Sequence, residues 1–432
     1  MVVPQLVEIG RGTVSRSHRG ADSETPVDRA PVVRYGPIMR YSFEGRLNKP
    51  VTWKASQFAS NSGRLKHVIF ARQYDRATVD RICSLANGIR EVSKTAMGRT
   101  ALRRVLEDRR AMLYFTQPST RTFLSFMAAC QILGVTCNEI RDPSISSFAK
   151  GESDFDAVRM FSSYFDMVIM RSNEANLAES CAWLMTDLER NDQRAVPIVN
   201  GGSGSDEHPT QALLDIYTVK RTFEFSSSYD GKQWTRFDEL RKQFPDLRRG
   251  PSGKTYCFCG DVGRGRTVRS LANLLTLYED VKLIFVAPNH ERLRLSPSLR
   301  RELVGRGVQV EEAGGLDEVI DQIDLLYMTR IQHEHDSDQD AAFFAETDMG
   351  QFKLTPERVS RMREHAAILH PFPRNDEIPF AIDEDPRAMY FRQARNGMWA
   401  RAALIAYLFD AEQRIQALHR QMFSEYHDYN AG

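Results

Sequence analysis

Three short clusters of polar residues in this sequence could act on a small anion. Ser119-Thr120-Arg121-Thr122 joins three hydroxyls to a guanidinium where a strand pattern ends and a helix pattern begins. The free N–H groups of the first helical turn converge on the same spot, which is how a phosphate is held without a glycine-rich loop. A capped helix bearing a surface arginine would read the same, so the cluster gains meaning only from its company. His208-Pro209-Thr210-Gln211 opens a second helix after a second strand, and Arg171 ends the strand pattern of 166–170. In a parallel sheet all three positions fall at the carboxyl edge, where ligands of doubly wound folds collect. A histidine beside a proline is more often a cap or a core partner than a catalyst. Convergence with two arginines makes this one a candidate.

The elements that must position these residues begin near residue 66. The patterns predict strands over 112–115, 166–170 and 196–199, with helices over 120–133, 154–164 and 209–220. A second set of strands follows over 255–259, 282–287, 308–311, 324–327 and 367–369, with helices between them. Such alternation implies parallel sheets covered by helices. The expected fold class is therefore α/β, with two doubly wound parallel-sheet domains. A final helix over 397–419, with Leu404, Leu408, Ile415 and Leu418 in helical phase, is expected to pack back on the first domain. Residues 1–62, rich in Arg, Ser, Pro and Gly, are expected to form a flexible extension. The domains are then 63–220 and 254–395, with an insertion or linker at 221–253 and the closing helix within 396–432. In the insertion Trp234, Phe237, Leu240 and Phe244 could share one face of a short helix.

The formal net charge is +1 and 27% of residues are charged, so nothing in the bulk composition favours nucleic acid. A near-neutral chain that gathers arginines into a few motifs focuses charge on a small anion instead. No apolar run is long enough to span a bilayer, and the first thirty residues lack the apolar core of a secretory signal. A cytoplasmic protein is expected, since Glu8, Asp22, Glu24 and Asp28 are acids that transit peptides avoid. The six cysteines form no CxxC pair and are read as reduced core residues.

Six ordered motifs give a resemblance. S-T-R-T from Ser119, S-S-F-A-K-G-E-S from Ser146, H-P-T-Q-A-L-L-D from His208, G-R-G-R-T from Gly263, Y-M-T-R-I-Q from Tyr327 and H-P-F-P-R from His370 together resemble the aspartate carbamoyltransferase family, over about residues 64–421. The resemblance implies transfer of a carbamoyl group from carbamoyl phosphate to the amine of L-aspartate. It also implies a carbamoyl phosphate domain and an aspartate domain joined by interdomain helices. No cofactor or metal is implied. The implied assembly is a homotrimer with shared active sites, with room for regulatory or other pyrimidine-pathway subunits.

Residue by residue, the resemblance gives Ser119, Thr120, Arg121 and Thr122 to the phosphate of carbamoyl phosphate, with Thr122 also near the carbonyl. Arg171, His208 and Gln211 go to the carbamoyl group, the first two polarising its oxygen. Lys150, and Ser147 or Ser146, would come from a loop lent to the adjacent subunit. Arg266 would bind the α-carboxylate of aspartate, and Arg330 and Gln332 its side-chain carboxylate. Phe372 and Pro373 would orient the carbamoyl amide and the amine through their backbone carbonyls. Two positions depart from the pattern: Phe123 stands where an arginine is usual, and Phe372 where a leucine is usual. Ornithine-using relatives have a cysteine after the histidine of the last motif. Pro371 there favours aspartate.

Three look-alikes are set aside. Gly253-Lys254-Thr255 resembles the end of a P-loop but lacks its first glycine and precedes a strand. His333-Glu334-His335 with Asp336 and Asp338 lacks metal-ligand spacing. The loop 260–265 lacks GxGxxG. The alternatives kept open are a carbamoyltransferase for another amino acid and a non-catalytic subunit of this fold that serves assembly.

Overall fold

The first sheet is built by strict strand–helix alternation. The computed structural model describes residues 43–142, 151–203, 207–224, 236–332, 343–344 and 346–430. Helices α1 (Val51–Gln57), α2 (Arg76–Val92) and α3 (Ala96–Arg103) come first. Next come β1 (Arg110–Phe115), α4 (Thr120–Leu133), β2 (Thr136–Ile140), α5 (Asp154–Tyr164), β3 (Met167–Arg171), α6 (Leu177–Arg190), β4 (Ile198–Asn200) and α7 (Pro209–Phe223). The strands pair in parallel in the order β2-β1-β3-β4.

After α8 (Arg236–Gln243) the pattern restarts with β5 (Thr255–Cys259), α9 (Arg266–Leu275), β6 (Lys282–Val286), α10 (Pro297–Gly305) and β7 (Gln309–Ala313). It continues with β8 (Leu325–Met328), α11 (Pro356–Arg361) and β9 (Ala367–Leu369), and closes with α12 (Tyr390–Leu408) and α13 (Glu412–Asn430). This sheet is also parallel, in the order β7-β6-β5-β8-β9. The chain therefore has the two-domain α/β architecture that the alternation implied.

Burial on both faces explains the near-continuous apolar strands. In β1, Ala111, Leu113 and Phe115 face one core while Met112 and Tyr114 face another. In β5, Tyr256 and Phe258 face the first of these cores and Cys257 and Cys259 a third. The inner faces of the two sheets thus share one apolar cluster, and α2, α7, α9 and α12 fill it. Both parts belong to one compact unit. That shared layer holds the carboxyl edges of the two sheets against each other.

Three expectations change. The single helix over 397–419 is two helices, because Asp410 takes a left-handed conformation (φ 54°) after α12. Asp410 N–H bonds to Tyr407 O and Ala411 N–H to Ala406 O, the paired bonds of a Schellman end. Aspartate tolerates this backbone, so no Gly or Pro marks the break. The apolar phase survives: Leu404 and Ile415 are buried, and Leu408 and Leu418 pack on the same core.

The extension set apart at 1–62 is packed from residue 43 on. Phe43 and Phe58 enter the core behind the first sheet, and Trp53 stacks on Trp183. Lys54 Nζ bonds Glu179 at 2.9 Å with both side chains buried. Strand β2 was not expected: it lies at a sheet edge with none of its residues fully buried, so no apolar run announces it. In the insertion, α8 carries Leu240 into the core and Phe244 packs beside it, whereas Trp234 lies outside the described residues.

Candidate active site

At the carboxyl edge of the first sheet, β1 feeds into Ser119, the N-cap of α4, whose side chain makes no capping bond. His208 is likewise the N-cap of α7 without a side-chain cap, with Pro209 at the first helical position. By contrast Asp75, Thr95, Ser153, Ser296 and Thr355 cap α2, α3, α5, α10 and α11 with their side chains. No side chain caps the first-turn N–H groups of α4, whereas in α7 Pro209 has no N–H and Gln211 N–H donates to His208 O at 3.0 Å. Arg171, the last residue of β3, is buried and bonds Gly201 O through Nη1 at 3.2 Å. Its Nε and His208 Nδ1 are buried with no partner among the described residues.

Asn200, at the end of β4, accepts Gly202 N–H at 2.8 Å and Ser203 N–H at 2.9 Å and so shapes the turn beneath this pair. Gly202 has φ 96°, and a Cβ built there would lie 2.6 Å from His208 Cδ2 and 2.9 Å from Arg171 Nη1. Only glycine lets the backbone pass this close to both side chains.

The second sheet contributes from its own carboxyl edge. Arg266 opens α9 after Gly265, an N-cap that brings no side chain. Gly260 (φ 110°) lies so close to Thr329 that an added Cβ would be 2.1 Å from Thr329 O, which joins the turn after β5 to the turn after β8. Buried Asp261 pairs with Arg264 at 2.8 Å and accepts Gln332 N–H at 3.2 Å, fixing the turn that carries Arg330. After β9, His370 accepts Phe372 N–H on Nδ1 at 2.8 Å and lies 2.7 Å from Glu377 through Nε2. The Nδ1 acceptor role puts the ring proton on Nε2, so His370 is neutral and donates to Glu377. Burial pushes its pKa down, against the pull of Glu377. The Phe372–Pro373 peptide is cis, and Phe372 has φ 57°.

These edges enclose one cleft of about 880 Å3. Its electrostatics are those of crowded cations. Burial, then Arg266, Arg401 and Arg121, pushes the Arg171 guanidinium down to about 9, so it stays charged at neutral pH. Burial, then Arg171, Arg266 and Arg401, holds the His208 imidazole well below its usual range, so His208 is a neutral donor or acceptor there. Burial and Arg330 lower Arg121. A cluster of like charges is costly unless an anion enters with it.

Comparison with known proteins decides what kind of anion site this is. Residues 66–221 match the family model described as the carbamoyl-P binding domain of aspartate/ornithine carbamoyltransferase, and residues 252–408 match its Asp/Orn binding domain. The chain belongs to the aspartate/ornithine carbamoyltransferase family. It is 35% identical over 349 residues to the chloroplastic aspartate carbamoyltransferase of Oryza sativa, covering 80% of this chain and 85% of that one. It is 34% identical over 341 residues to the aspartate carbamoyltransferase catalytic subunit of Chromobacterium violaceum, covering 79% and 97%. The crystal structure of Trypanosoma cruzi aspartate transcarbamoylase in complex with carbamoyl phosphate and aspartate superposes with a TM-score of 0.65 at 31% identity, covering 80% and 98%.

Within this carbamoyltransferase fold, Ser119, Thr120, Arg121, Thr122 and Arg171 line the cleft from the first sheet, with His208 and Gln211 beside them. Arg266, Arg330, Gln332, Phe372 and Pro373 line it from the second. Lys150, Ser146, Ser147 and the His333–Asp338 cluster lie outside the described residues. Among the described residues no group of three or more His, Cys, Asp or Glu could hold a metal. The P-loop look-alike is structural: Lys254 is buried, donates to Arg248 O at 2.6 Å and precedes a strand. Phe123, one of the two departures from the resemblance, is buried edge-on against Phe115. The motifs pointed to neither Arg401 nor Asn200 and Gly202. Arg401 reaches the cleft from α12 and donates to Ser125 Oγ at 2.6 Å, and a mid-helix arginine in an apolar stripe was the one signal for it.

Proposed function

We propose that this chain transfers the carbamoyl group of carbamoyl phosphate to the amine of L-aspartate, giving N-carbamoyl-L-aspartate and phosphate, a step of pyrimidine biosynthesis. The convergence of Arg121, Arg171, Arg266 and Arg330 on one cleft carries the reading, because the two substrates together bring about four negative charges to it. The amine attacks the carbonyl carbon. Thr122, Arg171 and neutral His208 receive the developing oxyanion, and losing one such donor costs roughly a hundredfold in rate. The C–O bond to phosphate breaks, and the departing phosphate takes the amine proton, so no protein base is required. Holding both reactants between the two sheets supplies much of the remaining acceleration.

The test is product analysis with a panel of amines. Carbamoyl-aspartate should form with wild-type protein and be lost in Arg121→Ala with the fold intact. Faster product formation from another amino acid would move the chain to a different acceptor, and no product from any amine would favour an assembly role.

The same reading includes a homotrimer in which Lys150 of one subunit completes the pocket of the next. It is supported by the family membership and by the match of Lys150 to the lent loop. Reassembling Arg121→Ala with Lys150→Ala subunits should restore activity to about a quarter of wild type, the share of interfaces with one intact pair. No recovery in mixed trimers would place each site on one chain. A cytoplasmic location remains part of the reading, supported by the acids in the first thirty residues. No helix among the described residues is long and apolar enough to cross a membrane. Cell fractionation decides between cytoplasm and an organelle such as the chloroplast named for the rice relative.

A further inference from the structure

Asp215, the last letter of H-P-T-Q-A-L-L-D, lies beneath the cleft, fully buried, one helical turn beyond Gln211. Its Oδ1 accepts Gln211 Nε2 at 2.9 Å and Gln393 Nε2 at 2.6 Å, and its Oδ2 accepts the Tyr327 hydroxyl at 2.8 Å. The three donors come from α7, α12 and β8, so this carboxylate ties the first sheet, the closing helix and the second sheet together. Gln393 Oε1 in turn accepts His370 N–H at 2.7 Å, at the start of the loop that carries Phe372. Burial pushes the Asp215 carboxyl up to about 7, with the Gln393, Tyr327 and Gln211 bonds and Arg401 opposing the rise.

With two amide groups on Oδ1 and the Tyr327 hydroxyl on Oδ2, a carboxyl that is ionised, or protonated on Oδ2, only accepts at Oδ1. The end of the Gln211 amide that faces Asp215 must therefore be its NH2, and the carbonyl end is left to the cleft that Gln211 lines. We infer that Asp215 is a positioning residue that locks Gln211 as a hydrogen-bond acceptor toward the donor substrate, selecting an acyl phosphate that carries NH2 over an isostere that carries CH3. This rests on the cleft being the carbamoyl phosphate site. A flipped Gln211 would set its NH2 against the NH2 of the substrate, and would prefer neither substrate. A site built around a substrate N–H discriminates through the polar group left unpaired when that N–H is missing.

The experiment compares the dissociation constants of carbamoyl phosphate and acetyl phosphate, which share the phosphate and differ in that one group. Wild type should prefer carbamoyl phosphate, and Asp215→Leu, which removes the acceptor, should lower the preference by about tenfold or more, toward that of Gln211→Met. The double variant should show no further loss. A folded Asp215→Leu protein with the wild-type ratio would overturn the inference. Should that variant not fold, wild type decides through the Gln211 side-chain NH2 resonance, assigned by its loss in Gln211→Met. Continued protection from solvent exchange and little shift on binding carbamoyl phosphate support the inference, whereas a large shift puts the NH2 on the ligand and defeats it. If wild type binds no carbamoyl phosphate, it is the functional reading that fails.

Discussion

The Arg121 guanidinium stands 5.8 Å from the centre of the Phe372 ring, so the S-T-R-T turn of the first sheet meets the H-P-F-P turn of the second across the cleft. Tyr390 and Phe391 hold that ring from behind, at 6.0 and 5.6 Å between centroids. A face-on aromatic ring attracts a guanidinium by about 0.5–1 kcal/mol where water reaches it. Phe372→Leu should therefore weaken carbamoyl phosphate binding only about two- to fivefold by loosening Arg121. Turnover should stay close to wild type, because the backbone carbonyl is retained. A large fall in kcat would show that the ring itself touches the reacting atoms.

Gly202→Ala should leave a folded protein that is nearly inactive. The added methyl would collide with His208 and Arg171, and its backbone sits at a φ that costs a non-glycine residue about 1–3 kcal/mol. Displacing the two proposed oxyanion donors together should lower kcat by about a hundredfold or more. Circular dichroism and steady-state kinetics check this, and near-normal kcat would mean that the turn below His208 yields without moving it.

Acid should destabilise the fold in part through His67. It is buried, its Nδ1 accepts Ile198 N–H at 3.0 Å, and burial, aided by Lys66, pushes it down from 6.5 to about 3. Between those values the unfolded chain binds a proton that the native state lacks. Stability is therefore lost as pH falls below 6.5, at about 1.4 kcal/mol per pH unit. His67→Gln, whose amide oxygen can still accept Ile198 N–H, should remove that much of the slope between pH 6 and about 4.5 in urea unfolding. Asp215, raised to about 7, acts in the opposite sense but equally in both proteins. An unchanged slope would mean that His67 is protonated in the native state.

Truncation should separate two parts of the N-terminal region. Deleting residues 1–42 should leave the catalytic constants within a few-fold, since every matched motif lies beyond them. Deleting through residue 62 should destabilise strongly, because it removes Lys54 from buried Glu179, and stripping one partner from a buried pair costs about 3–5 kcal/mol. Thermal unfolding of the two truncations distinguishes them, and equal stability would make the packing of 43–62 incidental.

The sequence carried the site wherever chemistry and fold coincide at a strand end. Arg171, His208 and Arg330 follow buried strands, so periodicity located them and residue type named them. Asp215 was hidden because it sits inside a helix whose other letters read as core, and its role exists only through Tyr327 and Gln393, far away in sequence. Gly202 was hidden because its value is the space it leaves. Helix α13 was misjudged because a Schellman end built on aspartate keeps the apolar phase running. Residues 43–62 were misjudged because their few aromatics, Phe43, Trp53 and Phe58, are too sparse to show a period, yet Trp53 and Phe58 pack on Trp183 and Phe43 on Phe155.

A crystal structure with N-(phosphonacetyl)-L-aspartic acid, the compound bound in a Trypanosoma cruzi aspartate transcarbamoylase structure, tests the central claim most directly. The account predicts one molecule across the cleft, its phosphonate on Ser119, Thr120, Arg121 and Thr122 and its carboxylates on Arg266 and Arg330. Binding should be lost in Arg121→Ala and in Arg330→Ala. A wild-type protein that leaves these side chains untouched, or binds the compound elsewhere, would contradict it.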